Sequence, residues 1–224
     1  MSTIAFLGLG HMGGPMSANL VAAGHTVHGF DPVAALKDAA AEKGAQVFDS
    51  VAEAAAEAEV VITSLPNGDI VKAVYADALP AAAKGTLFID TSTISVDDAR
   101  TINKQAADHG HAQLDAPVSG GVKGATAGTL AFMVGGDDAA VERARPILDP
   151  MAGKVIHCGG SGTGQFVWMA QQLPVAPVIT SNNDCADSPS FSARTNASPA
   201  AICCTASTML LHSLAACPVP EPPQ

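Results

Sequence analysis

The sequence has few charged and aromatic residues and no long apolar run. Of its 224 residues, 14% are charged and 4% aromatic, and no cluster of Lys or Arg occurs. The formal net charge of −10 argues against a nucleic-acid partner or an anionic membrane surface. No stretch approaches the roughly 20 apolar residues that cross a bilayer, and Gly8 and Gly10 interrupt the first apolar run, unlike a signal peptide. We therefore expect a cytoplasmic protein with neither a membrane nor a nucleic-acid partner.

Cysteines are few, and their spacing lacks the pattern of a metal site. Of the five, Cys158 stands alone, and the other four fall within residues 185–217 without CxxC or Cys/His spacing. We expect no metal site and interpret the thiols as incidental.

Glycine is absent from the C-terminal quarter of the chain. All 21 glycines precede residue 165, whereas residues 165–224 contain eight of the 15 prolines and very few charges. We predict a folded domain over residues 1–164 and an atypical, poorly ordered tail rich in Ala, Ser, Pro and Cys over 165–224, without sustained helical or strand periodicity. Translation in a shifted reading frame would give such a change, and a genuinely divergent tail is the alternative. Sequencing codons 160 to 175 distinguishes the two.

The most informative stretch is residues 4–20, which reads as an apolar strand, a glycine turn and a helix. In the pattern Gly8-x-Gly10-x-x-Gly13, the first glycine allows the turn, the second lets a phosphate approach, and the third lets helix and strand pack closely. The helix N-terminus directs N–H groups and its positive dipole end toward a pyrophosphate. This predicts a dinucleotide site with the following residues: Gly8, Leu9, Gly10, His11, Met12 and Gly13.

An acidic residue follows the second predicted strand. Asp31 lies 23 residues beyond Gly8, near the spacing at which a carboxylate accepts hydrogen bonds from the adenosine ribose. A carboxylate there would repel a 2′-phosphate, and the next residue is Pro32 rather than Arg. We predict NAD rather than NADP. A second role for Asp31, as the N-cap of a helix that starts near Val33, is compatible with this one.

Strands and helices alternate through residues 1–164. After the first strand, the pattern predicts strands over 25–31, 45–48, 60–65, 86–90, 111–115, 129–134 and 154–157. Helices are predicted over 12–23, 34–42, 51–58, 70–79, 96–108 and 137–148, the last capped by Asp137. Such βαβ units form a parallel sheet with right-handed crossovers. The fold class is therefore α/β, with a Rossmann-like, doubly wound, mostly parallel sheet.

Two further groups of residues are expected beside the cofactor. Leu65-Pro66 and Thr91-Ser92-Thr93 follow two buried strands, at the sheet edge where ligands bind in open α/β folds. The loop from Asp115 to Gly121 offers a serine hydroxyl and glycine N–H groups that could hold a small carboxylate. For Ser119 alone, a turn serine bonded to its own backbone is the alternative.

Three motifs, in this order, resemble the β-hydroxyacid dehydrogenases: residues 6–20, 115–121 and 128–136. The resemblance covers residues 2–165 and is greatest to the branch acting on 3-hydroxyisobutyrate in valine breakdown. It implies NAD-dependent oxidation of that alcohol to methylmalonate semialdehyde, a homo-oligomer, and an all-α second domain that is truncated or replaced here. It also implies roles for two sets of residues: Ser119, Gly120 and Gly121 at the substrate carboxylate, and Leu65, Pro66 and Thr93 along NAD.

The resemblance breaks down at the proton-transfer residue. The family has a general acid/base lysine four residues after the position of Gly164, and this sequence has Trp168 there, with Gln171 and Gln172 at the expected asparagines. An indole has an N–H donor but does not titrate in the useful range. The sequence therefore leaves three readings open: a 3-hydroxyisobutyrate dehydrogenase with an impaired site, a relative such as a tartronate semialdehyde reductase, and an inactive NAD-binding remnant.

Overall fold

The computed structural model describes residues 1–172, and the short apolar stretches of the sequence form its strands. Nine strands make one sheet: β1 (Thr3–Leu7), β2 (Thr26–Phe30), β3 (Gln46–Val47), β4 (Val60–Thr63), β5 (Leu87–Asp90), β6 (Ala112–Asp115), β7 (Val118–Ser119), β8 (Leu130–Gly135) and β9 (Ala152–Gly159). Eight α-helices connect them: α1 (Gly13–Ala22), α2 (Ala34–Ala41), α3 (Val51–Ala55), α4 (Gly68–Ala81), α5 (Val96–Asp108), α6 (Gly121–Ala127), α7 (Asp138–Leu148) and α8 (Thr163–Gln172).

The strand order is β3-β2-β1-β4-β5-β6-β8-β7, with β9 paired to β8. Strands β1 to β6 run parallel, whereas β8 is antiparallel to β6 and β7 and parallel to β9. Strand β1 lies between β2 and β4, so the order reverses beside it, which is where ligands bind in doubly wound sheets. The predicted mostly parallel, Rossmann-like sheet is confirmed.

The sheet is buried on both faces by two separate apolar clusters. Along β1, Ile4 and Phe6 belong to one cluster and Ala5 and Leu7 to the other, because successive side chains of a strand point to opposite faces. Helices α1 and α7 cover the first face, and α4 and α5 cover the second. The continuous apolar strands of the sequence are explained by this two-sided burial.

Polar side chains define several helix starts. Ser50, Asn67 and Ser95 each accept a hydrogen bond from a backbone N–H of the first turn that follows. Asp137 occupies the N-cap position of α7 but makes no capping bond with its side chain. The predicted position of Asp137 at the start of this helix is confirmed, whereas a side-chain cap is absent, and the acidic residue of the first turn is Asp138.

Two segments are more regular than the sequence indicated. The predicted loop over 116–125 contains β7 and the start of α6. Gly120 and Gly121 join these two elements with positive φ angles of +130° and +60°. The expected lack of helical periodicity from Phe166 is wrong for residues 166–172, which form most of α8.

One compact unit spans Met1–Met169, whereas the predicted boundary followed Gly164. The rest of the predicted tail, 173–224, lies outside the described residues. Within residues 1–172 no helix combines the length and apolarity that a bilayer crossing requires.

Candidate functional site

The glycine turn between β1 and α1 is built for close approach. Gly8 has φ +97°, and a Cβ there would meet the carbonyl oxygen of Ser64, while a Cβ on Gly13 would meet the carbonyl oxygen of Gly8. A Cβ on Gly10 would meet nothing within 4 Å. The fold itself therefore requires the first and third glycines, whereas the second leaves open space.

The turn presents backbone donors to that space. Within residues 1–172 the N–H groups of Gly10, His11 and Met12 make no hydrogen bond, and they precede the ten-residue helix α1. Gly10 and His11 also line a cleft of about 250 Å³ between the turn and α2. Free N–H groups and the positive end of a helix dipole fit a diphosphate, which is the geometry that a dinucleotide requires.

Asp31 fixes the turn from the end of β2. Its buried carboxylate accepts one hydrogen bond from the N–H of Leu9 and another from the N–H of Val33, each at 2.9 Å. Each oxygen keeps a second lone pair for a ribose hydroxyl. The arrangement fits the predicted ribose role of Asp31. The predicted N-cap role is wrong, because α2 begins at Ala34 with Val33 at its N-cap, and Asp31 instead accepts from the Val33 N–H before the helix.

The ends of β4 and β5 are tied together beside the turn. The Leu65 N–H donates to the Ser92 hydroxyl at 2.9 Å, and the Thr91 hydroxyl donates to the Thr63 carbonyl at 2.7 Å. The Leu65 side chain packs 3.0 Å from the position of a Gly8 Cβ. The structure thus brings Leu65 to the glycine turn and leaves two other predicted residues, Pro66 and Thr93, exposed on the adjacent loops.

A buried carboxylate braces these strand ends. Asp90, the last residue of β5, accepts hydrogen bonds from the Thr63 hydroxyl at 2.7 Å and the Ser92 N–H at 3.1 Å. Full burial raises the pKa of Asp90 to about 6, although these donors oppose the rise. The site therefore contains a carboxyl that changes charge in mildly acidic solution.

The predicted carboxylate-binding loop is open. Ser119, Gly120 and Gly121 are exposed, and Ser119 is held in register by its pairing with Ala131 of β8. Within residues 1–172 the Ser119 hydroxyl makes no hydrogen bond. The alternative of a turn serine bonded to its own backbone is therefore not what the structure contains.

Helix α8 brings Trp168 to this loop. The Trp168 indole N–H donates to the Val118 carbonyl at 3.0 Å, next to Ser119. One turn earlier, Gln165 is fully buried: its amide nitrogen donates to the Ser92 carbonyl at 2.7 Å, and its oxygen accepts from the Ile94 N–H at 3.2 Å. Sequence reasoning gave Gln165 no role, because only the fold shows that both polar atoms of its amide bond the loop after β5.

Asp115 is the other residue whose role sequence reasoning missed. It ends β6 and is fully buried, and its carboxylate accepts from the Gly162 N–H at 2.7 Å and the Gln165 N–H at 3.0 Å. Burial raises the pKa of Asp115, and these two donors oppose that rise. The sequence Asp-Ala-Pro-Val-Ser does not indicate that the aspartate accepts a hydrogen bond from the start of a helix 47 residues later.

Comparison with known proteins identifies the family to which the domain around the glycine turn belongs. Residues 3–160 match the family model described as the NAD binding domain of 6-phosphogluconate dehydrogenase. A relative from Mycobacterium tuberculosis H37Rv, named "Probable 3-hydroxyisobutyrate dehydrogenase", is 61% identical over 176 residues, which is 79% of this chain and 60% of the relative. An NAD-dependent L-serine dehydrogenase of Pseudomonas aeruginosa is 46% identical over 168 residues, 74% of this chain and 56% of the relative.

The solved structures give the same picture. A structure of Mycobacterium tuberculosis 3-hydroxyisobutyrate dehydrogenase with L-serine is 62% identical and superposes with a TM-score of 0.76, covering 76% of this chain and 59% of that one. The chain thus spans about three-fifths of the length of these relatives. By its matched domain, its fold and its motifs, the chain belongs to the β-hydroxyacid dehydrogenase family and carries that family's NAD-binding domain.

Proposed function

We propose that this chain binds NAD and a small 3-hydroxy acid in one crevice. It lies between the glycine turn, residues 8–13, and the loop over residues 115–121, which we call the Ser119 loop. The observation that carries the proposal is the convergence of unpaired N–H groups at Gly10 to Met12, the Asp31 carboxylate and the open Ser119 loop at one edge of the sheet. Gly8, Leu9, Gly10, His11, Met12 and Gly13 would hold the diphosphate, Asp31 the ribose, and Leu65, Pro66 and Thr93 the nicotinamide end.

The reaction class follows from the family. NAD, when bound, accepts a hydride from the carbon that bears the alcohol. Our proposed substrate is 3-hydroxyisobutyrate, oxidised to methylmalonate semialdehyde, which is the step of valine breakdown catalysed by this branch. The Ser119 hydroxyl would donate a hydrogen bond to the substrate carboxylate, and the N–H groups of Gly120 and Gly121 would complete that contact.

Proton transfer is the weak step in this chain. The alcohol must lose a proton as its hydride leaves, and Trp168 has no group that titrates near neutral pH. Its indole N–H is already donated to the Val118 carbonyl. Loss of a positioned acid or base costs on the order of 100- to 10,000-fold in rate, so we expect NAD binding to be retained and turnover to be slow.

Trp168 is the chain's one tryptophan, which gives a direct binding test. Its emission overlaps the absorption of reduced nicotinamide, so bound NADH should quench Trp168 and emit by energy transfer. A saturable transfer signal is expected. Absence of any signal, together with no NADH retained in equilibrium dialysis, would overturn the proposed cofactor site.

Activity tests the second half. NAD reduction is measured with 3-hydroxyisobutyrate, with L-serine, and in reverse with tartronate semialdehyde, against a full-length relative with lysine at the position of Trp168. We expect turnover at least about 100-fold below that relative, with 3-hydroxyisobutyrate the best substrate. A rate within tenfold of the relative would contradict the role given to Trp168.

A catalytically inactive NAD-binding remnant is the second candidate, favoured by Trp168 at the position where the family resemblance implies a lysine. The variant Trp168→Lys separates the two candidates. Measurable turnover in either protein identifies an impaired enzyme, whereas NADH binding without any turnover in either protein identifies the remnant. We expect little recovery, because catalysis also needs a closed, water-poor site.

A further inference from the structure

The N-terminus of α8 is held by a carboxylate from a distant strand. Asp115 Oδ1 lies 2.7 Å from the Gly162 nitrogen and Oδ2 lies 3.0 Å from the Gln165 nitrogen. Gly162 precedes the helix and has no side chain, and its carbonyl accepts the first helical bond, from the Phe166 N–H. Asp115 therefore plays the part that an N-cap side chain usually plays.

The surroundings of the carboxylate are cleared for this contact. A Cβ on Gly135 would lie 2.5 Å from Asp115 Oδ1, and a Cβ on Gly164 would lie 2.8 Å from Asp115 Oδ2. Both glycines have backbone partners on the same side, so any side chain there would displace the carboxylate or the helix. The contact is thus built from both β8 and α8.

The anchored helix carries two residues of the crevice on one side. Gln165 and Trp168 are three residues apart, and side chains at this spacing share a helix face. Gln165 bonds the loop after β5 at Ser92 and Ile94, and Trp168 bonds Val118 beside the Ser119 loop. The position of α8 therefore determines how the cofactor side and the substrate side of the crevice meet.

We propose that Asp115 is the positioning residue that fixes α8 against the sheet and so places residue 168 beside Ser119. A carboxylate suits this role because each oxygen accepts from a separate N–H and its charge favours the positive end of the helix dipole. An amide has one acceptor oxygen and would set its NH₂ against a backbone N–H. The meaning of residue 168 for catalysis rests on the proposed function, but its placement by Asp115 does not.

The test uses Trp168 as a reporter in the full chain without cofactor. In Asp115→Asn we expect a red-shifted emission and at least about a twofold rise in acrylamide quenching, as local opening exposes the indole, with far-UV circular dichroism retained. The matched control is Asp137→Asn, since Asp137 also precedes a helix but makes no capping bond, and it should leave Trp168 unchanged. Unchanged Trp168 emission and quenching in Asp115→Asn would overturn the proposal.

Hydrogen exchange on the wild-type protein covers the case in which Asp115→Asn does not fold. The amides of Gly162 and Gln165 should exchange at least about tenfold more slowly than those of Asp138 and Ala139, which open α7 without a side-chain acceptor. Equal rates would overturn the proposal. NADH titration of both proteins keeps the hypotheses apart, because a failure to bind NADH in the wild type refutes the proposed function while leaving these results intact.

Discussion

The two sides of the crevice are made by different means. The glycine turn holds its shape with backbone and empty space: Gly8 and Gly13 pack against backbone carbonyls, and Gly10 is left open. The ends of β5 and β6 hold theirs with two buried carboxylates, Asp90 and Asp115. Asp90 accepts from two donors at Oδ1, and Asp115 accepts from one donor at each oxygen. The close packing of the first side is between backbone atoms, with the Asp31 carboxylate accepting from the Leu9 N–H beside it. The second side is held mainly by the two carboxylates.

The two sides should therefore respond to different changes, one to added volume and the other to protonation. Adding one methyl group at Gly8 or Gly13 should damage the glycine turn at any pH, because the clash is steric. Changing one proton should alter the carboxylate side without any change in volume, since burial penalises the charged form. Variants that change only volume or only charge can therefore address each side separately.

The largest effect is expected from Gly13→Ala. The added methyl group would meet the Gly8 carbonyl oxygen, and overpacking against backbone costs about 3 kcal/mol of unfolding free energy. Urea unfolding followed by circular dichroism measures the loss, at pH 5 and at pH 7.5. A decrease that differs strongly between these two pH values would contradict a purely steric cause.

The variant Asp90→Asn should change the pH dependence of stability. Because burial raises the Asp90 pKa from 3.8 to about 6, the native protein holds this proton more tightly than the unfolded chain. The corresponding stability is present below about pH 4 and is lost as the pH rises to about 6, a change of about 3 kcal/mol.

Asparagine keeps the acceptor for Thr63 and Ser92 and carries no charge at any pH. Relative to wild type, the variant should therefore gain up to about 3 kcal/mol between pH 4 and pH 7 in urea unfolding. Asp137→Asn, at an exposed position, is the control and should show no such trend. A difference between Asp90→Asn and wild type that is constant across this range would refute the raised pKa.

The cofactor preference should show the influence of Asp31. Its carboxylate is fixed at the end of β2, because both oxygens accept backbone N–H groups. Its negative charge would repel a 2′-phosphate placed beside it. We expect NADH to bind at least about tenfold more tightly than NADPH, which corresponds to about 1.4 kcal/mol, as measured by quenching of Trp168. Equal affinities would exclude a ribose role for this carboxylate.

The smallest effect on the fold is expected from Gly10→Ala, the counterpart of Gly13→Ala. A Cβ at Gly10 meets nothing within 4 Å, so the unfolding free energy should stay within about 0.5 kcal/mol of wild type. The methyl group would nevertheless enter the space proposed for the diphosphate, and NADH affinity should fall about tenfold. Loss of stability without loss of affinity would place the cofactor elsewhere.

The sequence predicted the sheet well because its signals there are local. The glycine turn, the Asp31 spacing and the alternation of strands and helices each follow from short-range patterns, and the structure reproduces them. The short strand β7 and helix α6 were missed because glycine-rich segments look like loops until a positive φ is seen to join two elements.

The supporting residues of the crevice could not be predicted in the same way. Asp115 and Gln165 act through partners 47 to 73 residues away, and no periodicity in a sequence encodes such a pairing. The helical state of residues 166–172 was missed for the same reason, since it is tertiary contact at Gln165 and Trp168, rather than propensity, that supports α8.

The central place of β1 in the sheet has a consequence for the order of synthesis. Strand β1 is synthesised before both of its neighbours: it pairs with β2 on one side and must wait for β4, whose Val60 lies opposite Ile4, on the other. Such long-range parallel pairing is slow to form, so β1 exposes one edge until β4 has been made. Every strand of the described sheet ends before residue 160, so all nine strands leave the ribosome ahead of α8.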